Sequence, residues 1–358
     1  MILHMKKSEE RIVIYDWVRL ILTIFVVIGH SAYLNIQTTY GGVSYELPET
    51  LNVMYNSHFL SLLRGFSGWV YGFHMPMFFM LSGAVLGLKP IAKLDDVIKG
   101  KVKRLLIPYF LYGWLFMLPI KRLGNFYTNA SLKQAFKGFL SGADSGHLWF
   151  LTALFWCLIV FVMLDKLLMR LEINSIYLLL FIAGIISLTY NYLPFDILGL
   201  KMGLSYIFYF SIGYVFEKER AQVKTWNYRK TLLALGILVV LEIMNIRYDI
   251  LNVFFVRISG SFLTLLFCDL CSRIFKKVEY SKIWDFVIRN LFYVYLFHDP
   301  LEYIVLRIFF DNELLNYGIG CVFYTFARIV LVFVVSLGLG ELVRIAKGQF
   351  SLILNKEC

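Results

Sequence analysis

Arg19 and His30 stand eleven residues apart in an apolar run near the N-terminus, IVIYDWVRLILTIFVVIGHSAYL at residues 12–34. Eleven residues make about three helical turns, so on a helix the two side chains point the same way. Asp16 and Thr23 fall within about 60° of that direction at about 100° per residue. The pattern is one polar stripe, Asp16–Arg19–Thr23–His30, on an otherwise apolar rod. Imidazole is the natural general base near neutral pH, so His30 could take a proton from a hydroxyl attacking an acyl thioester. Arg19 lies about 16 Å away at about 1.5 Å per residue and cannot share that task. A guanidinium there suits an anion, bidentately if it is a phosphate, or an ion pair with Asp16 at i,i+3. Asp16 is the carboxylate candidate of the same stripe.

Further candidates lie in other apolar runs. His74 is in YGFHMPMFFMLSG, followed by Pro76 and by Ser82-Gly83; His147 and Trp149 are in GHLWFLTALFW; His298 is in YVYLFHDP. These could contact a substrate. Each histidine could equally be a hydrogen-bonded core residue, and Pro76, Ser82 and Gly83 could serve only helix packing. Lys101 and Arg104 sit at the head of the next run, in the densest basic stretch of the chain, residues 89–104. They suit an anionic ligand, or merely anchor a helix end among anionic lipids.

The elements that must carry these groups are membrane helices. A run of about 20 apolar residues crosses a bilayer. Ionisable groups inside such a run cost on the order of 2.5–3.5 kcal/mol each, so they mark pathways or active sites. A polar stripe at that depth must face protein or water, and it is expected to line an active site. Hydrophobic residues make up 59% of the 358 residues and charged residues 16%, against about 25% charged in soluble domains. The chain is therefore expected to be all-α and polytopic, which excludes a soluble globular protein. The first segment is too long for a cleavable signal and lacks a small-residue cleavage site.

About ten transmembrane helices are expected, at roughly 12–34, 67–88, 105–120, 147–164, 174–192, 199–216, 230–247, 250–271, 289–310 and 318–345. The net charge of +11 resides mainly in short loops, so the positive-inside rule explains it without nucleic acid. Lys89–Arg104, Lys166, Arg170, Lys218–Lys230 and Arg273–Lys282 fall on one side with both termini, which places the termini in the cytoplasm. Residues 121–146, with four basic residues on the other face, fit this least well. The residues divide into an integral-membrane domain, 1–346, and a short cytoplasmic tail, 347–358. Residues 35–66 and 121–146 are long outer segments, the first with an amphipathic piece, LNVMYNSHFLSLL. The lone CxxC at Cys268 and Cys271 has no second pair or nearby histidine, so neither a metal nor a disulfide framework is expected.

With these motifs assembled, the chain resembles acyltransferase family 3, the integral-membrane enzymes that O-acylate carbohydrates at bacterial cell surfaces. The first run matches the family's Arg-x10-His pattern at Arg19 and His30. Pro76, Phe78-Phe79 and Ser82-Gly83 match its second element. Lys101 and Arg104 resemble its RxxR element with lysine in place of the first arginine, and HLWFL and YLFHDP resemble later ones. The resemblance implies His30 as the essential catalytic residue, and Arg19, Lys101 and Arg104 as groups for a cytoplasmic acyl-CoA donor, usually acetyl-CoA. The implied acceptor is an extracytoplasmic glycan or lipid-linked sugar, at the inner (plasma) membrane. The resemblance is to stand-alone members without a fused SGNH hydrolase-like domain. O-succinyl transfer is an open alternative to O-acetyl transfer. A proton-coupled secondary transporter is another, although no inverted repeat is visible. A scaffold or sensor whose polar residues only pack is a third.

Overall fold

Apolar runs of this length become helices because a helix satisfies its own backbone where lipid offers no hydrogen bonds. The computed structural model describes residues 12–32, 35–38, 40–44, 59–173, 175–220, 228–248, 253–309 and 318–354. The main helices are α1 (Val13–Ser31), α2 (Phe59–Gly87), α3 (Leu94–Lys101), α4 (Ile107–Tyr112), α5 (Leu118–Leu123), α6 (Leu132–Ser141), α7 (Trp149–Arg170) and α8 (Ile176–Thr189). They continue with α9 (Leu200–Ser205), α10 (Ile207–Arg220), α11 (Tyr228–Tyr248), α12 (Val253–Ile274), α13 (Lys282–Phe309) and α14 (Gly318–Leu354). The all-α expectation needs one small amendment: Asn35–Thr38 pairs antiparallel with Gly41–Ser44. That hairpin is tied to the chain before α6 by a bond from the Asn129 amide to the Tyr40 carbonyl, 2.9 Å.

Each of the ten expected segments overlaps helix among the described residues. Among the described residues, five stretches are long and apolar enough to cross a membrane: Val13–Ser31, Ser61–Gly87, Leu132–Arg170, Val253–Ile274 and Val322–Gln349. Outward faces are uncovered and apolar, as at Phe181, Leu188, Leu233, Phe255 and Phe326. Such surface suits lipid and not water. The chain is a multi-pass membrane protein. Of the amphipathic piece at 51–63, residues 59–63 open α2 and the rest lie outside the described residues, as do both termini. The last helix runs on to Leu354, so residues 347–354 extend it.

The segment expected at 105–120 is a helix with two wide π turns, Val102–Leu106 and Gly113–Met117. Proline is the cause. Its ring crowds the carbonyl four residues back and it donates no amide. Pro108 and Pro119 put that strain on residues 104 and 115, inside the two π turns.

Small residues set the closest crossing. A Cβ placed on Gly83 of α2 would lie 1.9 Å from the Phe210 carbonyl oxygen of α10, and one on Gly213 of α10 would lie 1.8 Å from the Met80 carbonyl oxygen of α2. The two glycines thus let the backbones of α2 and α10 touch. Gly83→Ala should force the helices apart and cost about 1–3 kcal/mol, read as a lower unfolding midpoint in detergent. Gly236 of α11 has nothing within 4 Å of its Cβ position, so Gly236→Ala should leave the midpoint unchanged or raise it.

Candidate active site

A cavity of about 1240 Å³ runs beside α1. Ile12, Tyr15, Asp16, Arg19, Thr23, Val26 and His30 all line it, so it follows the helix for about 27 Å at 1.5 Å per residue. The whole polar stripe faces this space. His74, Ser82, Lys101, Arg104, His147, Trp149 and His298 line it as well, so the candidate histidines, the cations and Asp16 share one chamber.

At the end of α1 the chamber is built around Asp299 of α13, a buried carboxylate. His30 Nδ1 lies 3.0 Å from Asp299 Oδ1, and His147 Nδ1 lies 3.1 Å from Oδ2. Tyr303, one turn on, donates its hydroxyl to Oδ1 at 2.9 Å. The His30 side chain is 26% exposed and that of His147 is 1% exposed, so His30 is the imidazole a substrate can reach. Its Nδ1 is occupied by the carboxylate, which leaves Nε2 for chemistry. His147 Nε2 lies 3.0 Å from the Leu296 carbonyl oxygen and donates to it. This fixes His147 behind the carboxylate. His298 donates Nδ1–H to the Val294 and Tyr295 carbonyls at 3.1 and 2.8 Å, leaving its buried Nε2 without a partner among the described residues. Its ring meets that of His30 edge-on, centroids 4.9 Å apart. His74 Nδ1 donates to Val70 O at 3.0 Å, and Ser82 Oγ to Phe78 O at 2.9 Å. Among the described residues, no three His, Cys, Asp or Glu groups are arranged to share a metal ion.

Asp16 sits at the opposite end of the stripe, paired with Arg19. Fourteen residues separate it from His30, about 21 Å along the helix, and the carboxylate within reach of His30 is Asp299. Reading one helix at a time cannot show this, because the partners are 269 residues apart in the chain. A signal existed nonetheless: Asp299 and Glu302 are carboxylates inside the apolar run 289–310, where charge is costly.

The Asp16 end is cationic. Arg19, Lys89, Lys101, Arg104 and Arg220 line it. Two of these cations already hold carboxylates: Arg19 holds Asp16, and Arg220 grips Glu217 through Nε and Nη2 at 2.9–3.1 Å. Tyr15 donates its hydroxyl to the same Glu217. Lys101 and Arg104 have no carboxylate partner among the described residues, which leaves their charge to an anion in the cavity.

Burial, with Arg104 beside it, holds the Lys101 ammonium below the usual lysine range. The ammonium therefore loses its charge earlier than an ordinary lysine as pH rises. Binding of a polyphosphate at this end should weaken through alkaline pH below about 10.4, and Lys101→Arg should remove the decline. Titration of coenzyme A across that range checks both outcomes.

Comparison with curated proteins and with solved structures returned no significant match. Residues 12–340 match the acyltransferase-domain family, acyltransferase family 3. That span contains the polar stripe, the cationic end and the carboxylate that joins His30 to His147, and the chain belongs to this family.

Proposed function

We propose that this protein is a membrane O-acyltransferase that moves an acetyl group from acetyl-CoA, bound from the cytoplasm, to a hydroxyl of an extracytoplasmic glycan or lipid-linked sugar. The observation that carries the reading is the cavity itself. It joins a cluster of cations at one end, suited to the phosphates of coenzyme A, to a carboxylate-backed histidine at the other. A thioester carried on the pantetheine arm would reach from the cationic end toward His30, so that donor and acceptor meet without either crossing the bilayer.

The residues divide the work. Lys101 and Arg104, with Arg19, hold the donor phosphates. His30 Nε2 takes the proton of the acceptor hydroxyl as its oxygen bonds to the thioester carbonyl carbon. The C–S bond breaks, and the imidazolium returns the proton to the leaving thiolate. Asp299 holds His30 in the tautomer with Nδ1 protonated and offsets the charge that forms on the ring, which in a low-dielectric site is the larger service. Tyr303 fixes that carboxylate through its hydroxyl, and His147 stands behind it with Nδ1 3.1 Å from Oδ2. His74, Ser82, Trp149 and His298 shape the acceptor region. Lys89, Lys101 and Arg104 from residues 89–104, and Arg220 at the end of α10, bring cations to the donor end, which supports placing this face, and both termini, in the cytoplasm of a cell whose plasma membrane holds the protein.

The test is mass spectrometry of surface glycans from a deletion strain. Loss of one acetyl per repeat, restored by the wild-type chain and not by His30→Ala, is expected. A succinyl mass difference would replace acetyl as the group moved, and unchanged glycans together with donor-independent solute uptake in vesicles would overturn the reading.

A further inference from the structure

The loop SGADSGH, residues 141–147, joins α6 to α7 and, with Lys121 of α5, brings a second polar pair to the catalytic end of the cavity. Gly142 ends α6 with φ of 85°. The Asp144 amide donates to the Gly138 carbonyl at 3.1 Å, and Ser145 Oγ donates to the Gly142 carbonyl at 3.0 Å. These bonds hold the loop against the helix. Asp144 is 7% exposed, lines the cavity, and leaves Oδ2 without a hydrogen-bond partner among the described residues. Lys121, 2% exposed, lines the same space. Its ammonium rests on the loop: a Cβ built on Gly146, where φ is +51°, would lie 2.8 Å from Lys121 Nζ. The next residue is His147, whose imidazole touches Asp299 and through it His30.

A buried carboxylate oxygen and a buried ammonium both carry a large desolvation cost unless something pairs with them. These two make no ion pair with each other, and they face a cavity. The partner that satisfies both kinds of group is a hydroxyl, which gives its proton to the carboxylate and accepts from the ammonium. An anionic ring would meet Asp144 and Asp299, and a cationic one would meet Lys121. We infer that Lys121 and Asp144 form the acceptor subsite, and that the ring it holds beside His30 is an uncharged, polyhydroxylated sugar. The inference rests on the acyl-transfer reading for the purpose of the site but concerns binding alone.

The experiment titrates the full-length protein in nanodiscs, without acyl donor, with three probes: methyl glucoside, methyl galactoside and methyl glucuronide, followed by saturation-transfer NMR. A neutral glycoside should bind, and the glucuronide should bind at least about tenfold more weakly. Asp144→Asn and Lys121→Gln should each weaken the neutral glycoside at least about tenfold while coenzyme A binding at the far end is kept. Wild-type protein that binds none of the probes, a glucuronide bound as tightly as the neutral sugars, or variants that bind like wild type would each overturn the subsite. So would variants that lose sugar and coenzyme A together. Failure of the acyl-transfer reading looks different: glycoside binding intact, with no acetyl passed to that glycoside from acetyl-CoA.

Discussion

Asp299→Asn should lower acyl transfer by roughly 10²–10⁴-fold, close to the loss from His30→Ala, while the protein still inserts and still binds coenzyme A. The two effects are linked through the imidazole tautomer. With aspartate present, His30 carries its proton on Nδ1, 3.0 Å from Oδ1, and Nε2 has a lone pair for the hydroxyl. The asparagine amide donates at that position, which moves the ring proton to Nε2 and removes the base. The imidazolium formed during transfer also loses its counter-charge in a site with little water to replace it. The double variant should be no slower than the slower single variant, because residues that act as one unit do not add. Initial rates of coenzyme A release, measured on protein of matched abundance and retained coenzyme A affinity, decide the matter. A well-folded Asp299→Asn enzyme with near wild-type rate would remove Asp299 from the machinery, and an active His30→Ala would remove the base.

The stripe on α1 was legible because helical period alone brings residues 16, 19, 23 and 30 onto one side, and all four face the cavity. The partner of His30 was not legible in the same way. Asp299 is distant in sequence, and only the packing of α13 on α1 brings it near. The helical segment after Lys101 shows the same division. Pro108 and Pro119 were plain in the sequence, but the π turns they produce depend on how the chain relieves crowding at residues 104 and 115. Gly83 read as a packing residue, and it packs; that its contact is the backbone of α10 is information about a second helix. Patterns within one element could be read directly, whereas every pairing between elements awaited the fold.

The second large effect concerns the support beneath His30. Arg328 of α14 and Glu302 of α13 form an ion pair with both side chains almost wholly buried. Arg328 Nη1 donates to the Ser31 carbonyl at 3.1 Å, and Ser31 Oγ donates to Glu302 Oε1 at 2.7 Å. Three helices are thus joined at the residue that follows the proposed base. Removing Arg328 strands the Glu302 carboxylate away from water, and removing Glu302 takes a buried counter-charge from Arg328, each at about 3–5 kcal/mol. Arg328→Met or Glu302→Gln alone should therefore lower the unfolding midpoint sharply and reduce the amount of inserted protein. Replacing both, as Glu302→Leu with Arg328→Met, removes the two opposed charges together and should recover most of that stability. Activity should not recover with it. Ser31 then loses both tethers, and a displacement of about 1 Å at a reacting group can cost about 10²-fold. A double variant that melts like wild type but turns over about 10–100-fold more slowly would assign the pair to positioning. Full recovery of both quantities would make it a packing device alone.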